Sequence, residues 1–366
     1  MTQNMKNSNA PAKMNAEAPS DDYPFLPEPV PLSEQQWPDD VEPLVSVSCI
    51  TYRHEPFIRQ ALDGILAQQT TFRVQVIIHD DASTDRTADI VREYASRHPQ
   101  LITAICQEEN QYSQGKRPSR LVRQHVTGKY VASCEGDDYW IDPLKLQKQV
   151  DVLEGHPEYG LVHGDCHKYF QDSGTWLHNA NDKKRNTTEP ATPEELFYEI
   201  IAFRYKIRTA TVAYRVSLLA QLDPNRKVFP MGDTPMWLEL SQRTRFYYID
   251  EPLAVYRVQR NSMSKSTDRK RYFRFKLAMM EMRLYYCNLF GYDVRADLKS
   301  AYNKALLNYL LLDPEFTPEY PLQDPTPGEQ RTWKRIQQPA GRMVMRTRML
   351  AAALWNRLRR TSGDDD

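Results

Sequence analysis

The sequence predicts an α/β protein built on a mostly parallel sheet with helices on both faces. Three observations predict it. Short β-branched runs of strand length recur between residues 44 and 134. Stretches with apolar residues at helical spacing separate them. Each strand-like run ends in a polar cluster, and the carboxyl ends of strands are where open α/β sheets hold ligands.

Residues 1–43 are rich in Asn, Ala, Pro and acidic side chains without periodicity, which predicts a disordered arm. Its aromatics Tyr23, Phe25 and Trp37 are candidates to dock on the domain. Order is expected from Leu44. The run Leu44 to Ile50 reads as a strand ending in Thr51-Tyr52-Arg53-His54-Glu55. Pro56 then opens a helix carrying Phe57, Ala61, Ile65 and Leu66. Phe72 to His79 reads as a second strand that stops at Asp80-Asp81-Ala82-Ser83-Thr84-Asp85. Ser83 or Thr84 can cap the helix that buries Ile90, Val91 and Tyr94. Leu101 to Cys106 gives a third strand, a polar loop runs to Pro118, and a short helix leads to the fourth strand, Tyr130 to Cys134.

That fourth strand runs into Glu135-Gly136-Asp137-Asp138-Tyr139-Trp140. Adjacent carboxylates repel unless they are solvated or neutralised. A hard divalent cation, Mg²⁺ or Mn²⁺, neutralises them through oxygen ligands and is completed by substrate phosphates and water. By itself an acidic triplet is also an ordinary surface turn. Two further polar clusters at strand ends, residues 51–55 and 80–85, favour a shared crevice.

Beyond residue 155 the pattern is less regular. Tyr159 to His163 and Ile207 to Tyr214 read as strands, Pro193 to Ala202 as a helix. Met231-Gly232-Asp233-Thr234-Pro235 opens another helix to about Arg243. Phe246 to Ile249 and Ala254 to Val258 read as two short strands, and two long helices follow. The predicted organisation is an arm (1–43), a domain (44–265) with halves at 44–155 and 156–265, a helical extension (266–313), a linker (314–330) and a basic tail (331–366).

Lys plus Arg and Asp plus Glu number 48 each, so formal charge cancels. The balance hides a polarity: residues 21–43 carry seven acidic residues and no Lys or Arg, while residues 331–360 carry nine basic and no acidic residues. In the tail, Met343, Leu350, Leu354, Trp355 and Leu358 can share a helix face flanked by Arg346, Arg357 and Arg360. Such a helix suits an anionic membrane surface; packing on the domain is the alternative. No nucleic-acid-binding module accompanies the charge, so nucleic acid is not an expected partner. The five dispersed cysteines, without a C-x-x-C, read as reduced thiols of a cytoplasmic protein, and neither a signal peptide nor a membrane span is read from the sequence.

Five segments in order, VSVSCITYRHEPFIRQALDGILAQ, IIHDDASTDRT, GKYVASCEGDDYWIDPLKLQKQV, MGDTPMWLELS and IDEPLAVYRVQRNSMS, resemble the family 2 glycosyltransferases of bacteria. The resemblance implies a GT-A fold with a nucleotide-binding and an acceptor-binding part. It implies inverting transfer of a sugar from a nucleotide diphosphate sugar, usually a UDP-sugar, to a hydroxyl of a glycan or lipid-linked acceptor. By the same resemblance, Thr51, Tyr52 and Glu55 match nucleoside-contacting positions, and Asp81, with Asp80 beside it, matches the carboxylate that binds the base. Glu135-x-Asp137 matches the D-x-D metal motif, with Asp138 shared between metal and donor sugar. Asp233 matches the general base. Arg257 to Ser264 matches a loop that closes over the diphosphate, with Arg257, Arg260 and Lys265 as sources of positive charge. Two positions depart from the pattern. Gln259 stands where many relatives carry His, and Arg53 where many carry Asn, which touches metal affinity and nucleoside contact respectively.

Read without the resemblance, Asp81 and Asp233 are also helix-capping carboxylates. His163-Gly164-Asp165-Cys166-His167 fits no common zinc spacing and reads as strand-end packing. Competing functions are a non-catalytic nucleotide-sugar-binding scaffold and a nucleotidyltransferase of similar fold. The latter usually has a Gly-rich basic loop after the first strand, which residues 51–55 lack.

Overall fold

The computed structural model describes residues 23–181, 192–202, 204–223, 227–259 and 266–338. In chain order these form β1 (Val30–Pro31), β2 (Val45–Thr51), α1 (Ile58–Leu66), β3 (Gln69–Thr70), β4 (Val74–Asp80), α2 (Thr87–Arg97), β5 (Ile102–Cys106), α3 (Pro118–Arg123), β6 (Tyr130–Glu135), β7 (Tyr139–Trp140) and α4 (Lys145–Gly155). They continue as β8 (Tyr159–Phe170), β9 (Thr175–Leu177), α5 (Pro193–Ile201), β10 (Ala213–Arg215), α6 (Asp233–Leu240), β11 (Arg245–Val258), α7 (Arg269–Phe290), α8 (Ala296–Leu310) and α9 (Pro327–Gln337).

One sheet runs through both predicted halves in the order β5-β4-β2-β6-β10-β8-β11-β7, with β9 on β8. Its first four strands are parallel, as the alternation of strands and helices predicts. The rest is mixed: β10 runs antiparallel to both β6 and β8, while β11 pairs in parallel with β8. β2 is buried at Val45, Val47 and Cys49 and also at Ser46, as a strand covered on both faces must be. Helices α1, α2 and α4 close one core over β2, β4 and β6. A second core joins α5 through α9 to Val131, Leu161 and Tyr214.

Four expectations need correction. Residues 207–214 are not one strand: Thr209–Thr211 form a 3₁₀ turn and only Ala213–Arg215 joins the sheet. The Trp140 indole N–H donates to the Ala210 carbonyl at 2.7 Å and holds the turn out of the ladder. The two short strands near the end of the domain are a single strand, β11, with register shifts around Pro252. The arm is ordered from Tyr23: Leu32 is buried, and the Gln35 amide donates to the Val30 and Thr70 carbonyls at 2.8 and 2.9 Å. Part of the linker also packs, since the Tyr302 hydroxyl donates to the Tyr320 carbonyl at 2.6 Å and Asn303 brackets Gln323. Helix α9 then starts at a Thr326/Glu329 capping box and crosses the predicted boundary at 330. The amphipathic tail reading falls on residues 339–366, outside the described residues.

Candidate active site

Three adjacent parallel strands end side by side. Thr51 is in register with Asp80, and Ile50 with Glu135. The polar clusters that follow β2, β4 and β6 therefore converge from far apart in sequence. Gly136 allows the closest approach: a Cβ there would lie 2.6 Å from the Thr51 hydroxyl and 2.9 Å from His54 Nδ1. Two non-glycine residues with left-handed backbone, Arg53 at φ 56° and Ala82 at φ 60°, flank this convergence. The Arg53 N–H donates to Ser83 Oγ at 2.8 Å and ties the two loops together.

Glu135, Asp137 and Asp138 each bring one carboxylate oxygen within 4.8 Å of the others. Asp138 is buried; burial, then the charges of Asp137 and Glu135, raise its pKa well above the usual range. The Arg257 backbone N–H, 2.8 Å from Asp138 Oδ1, and the charge of Arg208 oppose that rise. Glu135 opens onto a pocket, yet enough protein surrounds its carboxyl for desolvation to raise its pKa to about 8, with Asp137 and Asp233 adding repulsion. The upward direction is what three crowded like charges require. Asp137 Oδ2 accepts from the Gln259 side-chain amide at 2.9 Å, and His54 Nε2 lies 3.8 Å away. Burial lowers the His54 pKa despite the nearby Asp137, Asp85 and Asp80. The trio is thus short of positive charge and rich in oxygen donors, which fits a hard divalent cation.

The other predicted residues fall into two groups. Asp80, Asp81 and Glu55 are engaged with the chain itself. Asp80 accepts from the Ser83 N–H at 2.9 Å, and Asp81 accepts the Gln111 and Tyr112 N–H groups at 2.8 and 3.1 Å. Asp81 therefore anchors the loop after β5, and each of its oxygens keeps a second lone pair. Glu55 accepts the Arg86 N–H at 3.1 Å. Thr51 and Tyr52 are open to a ligand in different ways: the Thr51 hydroxyl is buried without a partner, while Tyr52 is exposed. The Arg257 guanidinium lies 4.9 Å from the Tyr139 ring and 5.0 Å from the Phe57 ring, held by the Gln60 and Gln171 amide oxygens. Ser264, Arg260 and Lys265 lie outside the described residues.

Asp233 is the first residue of α6, and its Oδ1 accepts the Thr234 N–H at 2.7 Å. Its Oδ2 accepts from Thr209 Oγ1 at 3.4 Å. A pocket of about 420 Å³ is lined by both Asp233 and Glu135. Ser133 and Thr209 also line it, as do the apolar Met231, Met236 and Trp237. Gly232 fits here because a Cβ would lie 2.8 Å from the Arg117 guanidinium. The structure brings together the metal-type carboxylates and the predicted base. Sequence reading missed His54, Thr209 and Arg208. Thr209 and Arg208 sat inside a run read as strand, so no signal marked them.

The sequence profile of glycosyl transferase family 2 matches residues 46–218. An uncharacterized protein of Mycobacterium tuberculosis is 34% identical over 235 residues, 63% of this chain and 63% of its own length. This chain thus spans less than two thirds of that relative. The putative glycosyltransferase EpsE of Bacillus subtilis is 30% identical over 224 residues, 60% of this chain and 74% of its own. The structure of a mannosyltransferase from Pyrobaculum calidifontis, solved with GDP-Man and Mn²⁺, superposes with a TM-score of 0.50 at 21% identity over 92% of each chain. At that identity the likeness speaks for the fold, a GT-A arrangement of one curled sheet between helices. Profile, EpsE and fold agree: the chain belongs to glycosyl transferase family 2.

Proposed function

We propose that the chain is an inverting, metal-dependent glycosyltransferase that moves a sugar from a nucleotide diphosphate sugar to a hydroxyl of a glycan or lipid-linked acceptor in surface polysaccharide or glycolipid synthesis. One observation carries this reading: a cluster of three carboxylates lies at the end of β6, and one of them, Glu135, lines a pocket together with a fourth carboxylate, Asp233. Family membership supports the sugar transfer.

Asp137 and Glu135, with Asp138, would hold Mg²⁺ or Mn²⁺, which neutralises charge on the departing nucleotide diphosphate. The chain's own residues do the rest. Asp233 accepts the proton of the acceptor hydroxyl as its oxygen attacks the anomeric carbon from the face opposite the nucleotide. The Thr209 hydroxyl fixes the Asp233 carboxylate, and the apolar Met231, Met236 and Trp237 keep water from competing. Thr51 and Tyr52 sit at the β2 end where a nucleoside would lie, with Glu55, Asp80 and Asp81 shaping the loops around it. Arg257 and Ser264 belong to the segment assigned to the diphosphate. The basic run of residues 331–360 within the tail 331–366 supports contact with an anionic membrane surface, which would suit a lipid-linked acceptor.

A panel of nucleotide sugars, UDP-sugars first, assayed for Mn²⁺- or Mg²⁺-stimulated hydrolysis or transfer, tests the reading. Wild-type protein should turn over one donor in the presence of the cation, and Asp137→Ala should lose the cation stimulation. Equal cation stimulation in Asp137→Ala would remove the metal assignment. Tight donor binding without turnover across a broad acceptor panel would point to a scaffold.

A further inference from the structure

One cation near this site is marked by no motif. Arg208 sits in extended backbone at the start of the 3₁₀ turn Thr209–Thr211. Its main chain is fixed. The Thr211 N–H and hydroxyl donate to the Arg208 carbonyl at 2.8 and 2.9 Å, and Trp140 holds the next carbonyl but one. Its neighbour Thr209 is the residue that bonds Asp233.

The side chain is less settled. Its guanidinium carbon lies 5.0 Å over the Tyr256 ring, and its Nε is buried without a hydrogen-bond partner. Among the described residues it forms no ion pair. Tyr256 adjoins Arg257, whose N–H donates to Asp138, so the ring under the guanidinium is next in the strand to the residue that holds one carboxylate of the trio.

The other nearby cations are committed. Arg257 is bound to Gln60 and Gln171, Arg117 donates to the Phe229 carbonyl, and His54 Nε2 lies 3.8 Å from Asp137 Oδ2. A half-buried guanidinium lacking an anionic partner is costly to keep. Its planar fork matches phosphate oxygens better than any other side chain does.

We propose that Arg208, held over Tyr256 on the turn that carries Thr209, is a contact for the diphosphate of the donor and for the charge that gathers there as the nucleotide leaves. This rests on the donor reading above. It adds a cation from the second half of the domain, distinct from the segment after Arg257.

Calorimetric titration of UDP and GDP, with Mn²⁺, into the full chain tests it, alongside the matching monophosphates. For the diphosphate that wild type binds, Arg208→Met should weaken affinity roughly 10- to 100-fold, as losing a charge-assisted hydrogen bond implies. The monophosphate should be affected several-fold less, and Arg208→Lys should fall between. Arg208→Gln gives a second neutral variant if the Met protein melts early. Diphosphate affinity within twofold of wild type in both neutral variants overturns the inference and leaves the donor reading intact. So does an equal loss for mono- and diphosphate, which would mark a merely structural role. Wild-type protein that binds neither nucleoside diphosphate overturns both.

Discussion

At the scale of single residues, the chemistry is a matter of crowding. Glu135, Asp137 and Asp138 are pushed together by a tight turn, and the fold supplies them with little positive charge. Glu135 has its pKa raised from 4.5 to about 8, by burial first and then by Asp137 and Asp233. Between those values the folded chain holds a proton that the unfolded chain has lost. The native state therefore binds more protons there, and stability must fall as pH rises through that window. Without divalent cation, the thermal midpoint of wild type should drop between pH 4.5 and about 8 more steeply than that of Glu135→Gln. Mn²⁺ should flatten the wild-type slope and bind more tightly as pH rises, because it competes with the proton. Parallel slopes in the two proteins, measured by thermal melting across that range, would remove Glu135 from the cluster's electrostatics.

At the scale of elements, the site is assembled by turns rather than by strands. The parallel strands β2, β4 and β6 were legible because each β-branched run stops abruptly at acidic or hydroxyl residues. The elements of the second half were harder to read. The stretch 207–214 has the composition of a strand, but Trp140 takes the Ala210 carbonyl and turns it into a 3₁₀ loop. That bond links residues 70 apart in sequence, so periodicity carries no trace of it. The same turn delivers Thr209 to Asp233 and sets Arg208 over Tyr256. Trp140→Phe keeps most of the packing and deletes the donor. It should cost about 1 kcal/mol of stability, the net value of one hydrogen bond. It should also lower kcat, because Thr209 then holds Asp233 less firmly. Urea unfolding together with initial rates reads both effects. An unchanged kcat alongside the stability loss would mean that the turn does not position the base.

At the scale of the whole molecule, one sheet spans both predicted halves, while the arm pairs with β3 in a separate two-stranded sheet and part of the linker packs on α8. Composition misled in both places. Asn, Pro and acidic residues argued for disorder, yet Leu32, Gln35 and Tyr23 find partners across the sheet edge and on β3. Leu32 is one of several scattered apolar residues in the segment, with Phe25, Leu26, Val30 and Trp37, and no periodicity singles it out. The polar clusters after β2, β4 and β6 were legible as neighbours because they lie next to strand ends, where topology alone brings them together. Roles that depend on long-range partners, such as the loop anchoring by Asp81 or the Gln259 amide on Asp137, needed coordinates. Among the described residues no helix is long and apolar enough to cross a membrane. Deleting residues 339–366 should abolish cosedimentation with vesicles rich in anionic lipid while leaving turnover of a water-soluble acceptor unchanged. Undiminished vesicle binding would contradict the tail assignment.

The central claim is that a metal-type carboxylate cluster and a separate base, Asp233, act on the two ends of one transfer. The most direct measurement is donor affinity and transfer rate, side by side, in Asp233→Asn. Donor binding should stay close to wild type, because the proposed base acts on the acceptor hydroxyl rather than on the diphosphate. Transfer should fall by about 10²–10⁴-fold, the usual contribution of a general base. A variant that transfers at the wild-type rate would contradict the account.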